Sequence, residues 1–89
     1  MLIGKVVGSV VSTRKADELV GNKFMIVEPL PKFAGEVKNI IAIDNIGAGM
    51  GEVVMVATGS AARIGTGAEN APVDAAIVGI IDDPSAIMN

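Results

Sequence analysis

Apolar residues in this chain recur in short runs with a period near two rather than 3.6. Residues 2–13 put Leu2, Gly4, Val6, Gly8 and Val10 on one face, and Ile3, Lys5, Val7, Ser9 and Val11 on the other. That alternation predicts a β-strand. Glycines recurring on one face let a strand coil tightly, as barrel strands must. A second strand is predicted over residues 23–28, stopped by Pro29 and Pro31. A third follows over 39–46, a fourth over 52–58 and a fifth over 73–82, where Asp83-Pro84 ends it. Residues 14–22 read as a polar connection with a Gly21-Asn22 turn and room for one helical turn at 17–20. Residues 32–38 read as a polar loop around Gly35, and the glycine-rich run 47–51 as the turn of a hairpin joining the third and fourth strands. Residues 59–65 predict a short helix with Ser60 as N-cap and Gly65 at its end. Five strands and one short helix over residues 1–89 predict a single all-β domain, a small OB-like β-barrel.

The faces of these strands carry a second message. A barrel strand needs one apolar face and one wet face. Here Val53, Met55 and Ala57 oppose Val54 and Val56; Ala75, Ile77 and Ile81 oppose Ala76, Val78 and Ile80; Ile40 and Ala42 oppose Ile41 and Ile43. Strands that are apolar on both sides need two coverings, and 89 residues cannot supply both. The missing cover is most economically another copy of the chain, so a homo-oligomer is expected.

Composition narrows the chemistry. Ile and Val number 23 against 3 Leu, which suits pleated strands better than helices. His, Cys, Trp and Tyr are absent. Imidazole and thiolate catalysis, Cys/His zinc sites, iron–sulfur clusters, disulfides and the Ser-His-Asp triad are thereby excluded. No catalytic residue, cofactor or metal site is expected. The net charge of -3, with Phe24 and Phe33 as the only rings, offers neither the positive groove nor the stacking platform of a nucleic-acid binder. The longest apolar run, residues 75–81, falls far short of the roughly 20 needed to span a bilayer, so no membrane partner is expected.

The remaining motifs read as structure before chemistry. Gly47-x-Gly49-x-Gly51 resembles a nucleotide loop in spacing only, because a strand follows it where a phosphate-binding helix is required. It reads as a turn needing positive φ or close backbone approach, with small residues that would let symmetry-related copies crowd around an axis. Asp44, Glu52, Asp74, Asp82 and Asp83 lack the spacing of a calcium loop and read as strand-end and turn residues. Ser60 lacks a histidine base and reads as a cap. Arg63, three residues on, reads as an exposed or interface ion-pair partner.

The segment Asp44-Asn45-Ile46-Gly47-Ala48-Gly49-Met50-Gly51-Glu52-Val53-Val54, followed by Gly59-Ser60-Ala61-Ala62-Arg63, resembles the bacterial microcompartment vertex proteins of the EutN/CcmL type. The first strand, from Gly4 to Thr13, and the last, from Pro72 to Asp82, fit the same family, so the resemblance spans nearly the whole chain. Ala61 stands where the family often has Ser. The resemblance implies an OB-like barrel that forms a cyclic pentamer and caps the five-fold vertices of a shell with hexameric facets. It implies a carboxysome or metabolosome shell in the bacterial cytoplasm, and a structural role without catalysis. The residues expected at a pore or subunit interface are Gly47, Gly49, Gly51, Glu52, Ser60, Arg63 and Val78. The competing reading is an OB-like barrel that binds a ligand or nucleic acid.

Overall fold

Val and Ile lose little by adopting extended backbone, and their alternation sorts side chains to two faces of a pleat. The computed structural model describes residues 1–10, 23–35, 38–59, 75–83 and 85. Its elements are β1 (Leu2–Val10), β2 (Lys23–Pro29), α1 (Pro31–Ala34), β3 (Ile40–Asp44), β4 (Val53–Thr58) and β5 (Ala75–Ile81). The strands close into a barrel in the order β1-β2-β3-β5-β4. Every neighbouring pair is antiparallel except β3 and β5, which run parallel.

The barrel interior is filled by Val6, Met25, Val27, Ala42, Ala48, Val54, Val56, Ala75 and Ile77, with Leu2, Ile40 and Ile80 packed against them. Gly4 marks the tightest approach. A Cβ there would lie 2.6 Å from a Val27 methyl and 2.7 Å from the Glu28 carbonyl oxygen. Gly4 is therefore a packing requirement.

Three expectations change. The third and fourth strands are not a hairpin: β5 lies between them, and residues 45–52 are a crossover along the barrel end. Two-residue alternation cannot reveal this, because pairing partners are chosen by the whole sheet. The stretch after Pro29 is a single helical turn rather than a plain loop. Leu30 is extended, Pro31 opens the turn, Phe33 N–H donates to Leu30 O at 2.8 Å, and Gly35 at φ +54° ends it. A proline that stops a strand is also pre-set for the first turn of a helix. Finally, β1 does not keep one face throughout. Val6 pairs with Val27 but Gly8 pairs with Ile26, so Val7 is a bulge. Beyond it Gly8 and Val10 share the outward face of Ile26 and Phe24. The helix expected at 59–65, Ser60 included, and the turn at 17–20 lie outside the described residues.

Candidate functional site

The outward faces of the barrel carry two apolar rows on different walls. Across β1, β4 and β5, Ile3 pairs with Met55 and Met55 with Gly79. Val78 is the extra residue of a bulge beside this row, since Met55 pairs with Gly79 and Val56 with Ile77. Across β1, β2 and β3, Gly8 pairs with Ile26 and Ile26 with Ile41. Met55, Val78 and Ile41 are 37%, 36% and 56% exposed in the single chain. A third outward row, Phe24, Ile43, Ala76 and Ala57, is different: Ile43, Ala76 and Ala57 are buried. The two-sided apolar pattern thus divides into one covered row and two uncovered ones. Ile3, Ile26 and Ile41 were not among the expected interface residues; their signal was the unmatched apolar face, not a motif.

The crossover occupies one end of the barrel. The Asp44 carboxylate is 2% exposed and accepts from three amides: Ile46 at 3.0 Å and Gly47 at 3.2 Å on Oδ1, Ala48 at 2.8 Å on Oδ2. Glu52 Oε1 accepts from the Gly49 amide. Gly51 N–H donates to Val6 O at 2.8 Å, and Val6 N–H returns a bond to Glu52 O at 2.9 Å. The segment is thereby tied to the β1 bulge, and Ala48 is drawn into the core. Gly47 and Gly51 sit at φ +86° and +83°, where L side chains are strained, whereas Gly49 does not. The side-chain intolerance expected of this run therefore lies at its two ends.

This geometry decides what the segment can do. Amides in a nest bind anions when they are free. Here the amides of residues 46–49 already face carboxylates of the same chain, so the Gly47-x-Gly49-x-Gly51 spacing cradles no phosphate. The sequence alone marks Asp44 as a turn residue. An Asp two to four positions before amides of a glycine-rich run is the sequence signal for its larger part.

Among the expected site residues, Gly47, Gly49, Gly51 and Glu52 are brought together at the barrel end, and Val78 lies on the Met55 wall. Ser60 and Arg63 lie outside the described residues.

A closed β-barrel with two uncovered apolar walls and an internally saturated glycine segment is built to assemble. The family model described as "Ethanolamine utilisation protein EutN/carboxysome" matches residues 1–82. The chain is 45% identical over 83 residues to the bacterial microcompartment shell vertex protein GrpN of Rhodospirillum rubrum, covering 92% of this chain and 93% of that protein. It is 42% identical to the carboxysome shell vertex protein CcmL of Gloeobacter violaceus, covering 96% and 86%. Among solved structures it is similar to an ethanolamine utilization protein EutN (TM-score 0.85, 38% identity, 93% and 88% covered). It is also similar to the GrpN pentameric microcompartment shell protein of R. rubrum (TM-score 0.80, 42% identity, 93% and 95% covered). The chain belongs to the EutN/CcmL family of microcompartment shell proteins. It is a structural protein rather than an enzyme, and its place is the shell of a bacterial microcompartment within the cytoplasm.

Proposed function

We propose that five copies of this chain, each a single domain, close into a ring that caps the five-fold vertices of a microcompartment shell whose facets are hexameric proteins. The observation that carries this reading is the pair of uncovered apolar rows on different walls, Ile3–Met55–Gly79 with Val78 and Gly8–Ile26–Ile41. A ring with a rotation axis uses a head-to-tail interface, in which each copy offers two different patches. The pentameric form of the similar GrpN supports five as the number. In this reading Val78 faces a neighbouring copy. Gly47, Gly49 and Gly51 let copies approach around the axis, with Glu52 beside them, and Ser60 and Arg63 belong to the same interface. Hexagons tile a flat sheet, and pentagons supply the curvature that closes it. No bond is made or broken.

The test is assembly. Native mass spectrometry should find a species of about 45 kDa, five times 9.0 kDa. Co-expression with hexameric facet proteins should give closed particles, and omission of this chain should leave elongated or uncapped ones. Closed, corner-complete particles formed equally well without it, and without a paralogue, would overturn the vertex role.

A further inference from the structure

In a ring of this chain, closure depends on the angle between the two apolar walls. The walls lie on β4/β5 and β2/β3, with β1 between them. Strands β3 and β4 do not pair with each other; β5 lies between them, and among the described residues Ile43 of β3 pairs with Ala76 of β5. β1 itself pairs with both β2 and β4, and the crossover is a further link from the β3 wall to the β4 wall, bonded on its way to Val6 beside the β1 bulge. Bulges are where strands bend, so the crossover braces the barrel at the point where the angle between walls can change.

Two acids hold that brace. Asp44 is almost fully buried and uses both carboxylate oxygens on three amides; Glu52 uses one oxygen on the fourth. A turn could be made with a neutral Asn and without the desolvation of a buried carboxylate. What Asn cannot do is accept on both sides at once, because one of its two terminal atoms is a donor. A requirement for two acceptors is a requirement for fixed geometry rather than for a turn alone.

We infer that Asp44 and Glu52 are positioning residues for ring size: as acceptors for four backbone amides of the crossover they fix it, and with it the angle that makes closure occur at five. This rests on the ring reading above and adds to it the residues that specify the number.

Ring-size distribution, read by native mass spectrometry beside thermal melting, is the test. Glu52→Gln keeps an acceptor oxygen for Gly49 and should give the pentamer of the unmodified chain. Glu52→Ala and Asp44→Asn each leave at least one amide without its acceptor, and should weaken the preference for five over neighbouring sizes and open chains by about tenfold. Val54→Ala, a core cavity that removes none of the brace's hydrogen bonds, should lower the melting temperature and keep five. A sharp pentamer for Asp44→Asn and Glu52→Ala would overturn the inference. So would equal broadening in Val54→Ala, since stability alone would then govern ring size. If Asp44→Asn does not fold, the Glu52→Ala and Glu52→Gln pair decides. Absence of any ring from the unmodified chain would instead sink the ring reading itself.

Discussion

Gly49 and Gly51 are two positions apart and under different constraints. Gly51 holds φ +83° in open space, so a methyl there meets no neighbour but strains the backbone. Gly51→Ala should cost about 1–2 kcal/mol, the penalty of a left-handed L-residue. Gly49→Ala would only push the tip of the Glu52 side chain, 3.1 Å away, and should cost clearly less. Denaturant melts of the two variants separate these outcomes, and equal losses would show that φ is not the controlling factor. At the other end of the chain, the Ser85 hydroxyl and amide both donate to Asp83 Oδ1, and hold its carboxyl below the ordinary range. A lowered folded-state pKa stabilises above the unfolded value and loses that contribution as pH falls through the folded one. The group is fully exposed, so the effect belongs to local order. Ser85→Ala should return the carboxyl toward its usual value in an NMR titration; an unmoved titration would refute the hydroxyl's part. Nothing in the sequence distinguished Gly49 from its neighbours, because φ is set by the path of the chain between strands. Asp44 was legible as a turn former but not as buried.

At the scale of elements, the strands were legible because side-chain alternation is a local property. The bounds agree to within two residues wherever both ends are described. The bulge at Val7 was not, since an added residue is defined only against the partner strand. Nor was the β3–β4 crossover, since a glycine-rich turn between two strands looks the same whether or not they pair. Strand β1 also shows why its glycines differ. Gly4 faces inward against β2 with no room for a methyl, whereas a Cβ on Gly8 would lie 3.2 Å from the end of the flexible Ile26 side chain. Gly4→Ala should therefore destabilise the barrel by about 1–3 kcal/mol, as overpacking does. Gly8→Ala should be milder in the melt, and a Gly4→Ala protein with unchanged melting temperature would show that β1 and β2 can separate without loss.

For the whole molecule, head-to-tail closure makes a demand that a two-fold dimer does not. Ile41→Asp removes one wall and leaves the other; Met55→Asp does the reverse. Burying an unpaired carboxylate costs several kcal/mol, so each variant alone should be monomeric. Mixed, the two retain one complementary pair of walls and should form a heterodimer of about 18 kDa, twice 9.0 kDa, and nothing larger. Native mass spectrometry of the mixture reads this directly. Rings from either variant alone would show that the walls are not the interface.

The sequence by itself determined the all-β class, the strands, the absence of imidazole and thiol chemistry and the need for an external cover. Each of these follows from residue type and local periodicity, and the resemblance carried by residues 44–63 supplied the family. Only the tertiary structure decided which apolar face stays uncovered. Ile43 and Ile41 lie on the same strand and the same outward face, yet Ile43 is 3% exposed and Ile41 is 56% exposed. Their difference lies in what the fold brings over each, and no pattern along the chain encodes that. The same holds for Asp44. A carboxylate becomes a brace only when the crossover returns its amides to it and the core closes over both.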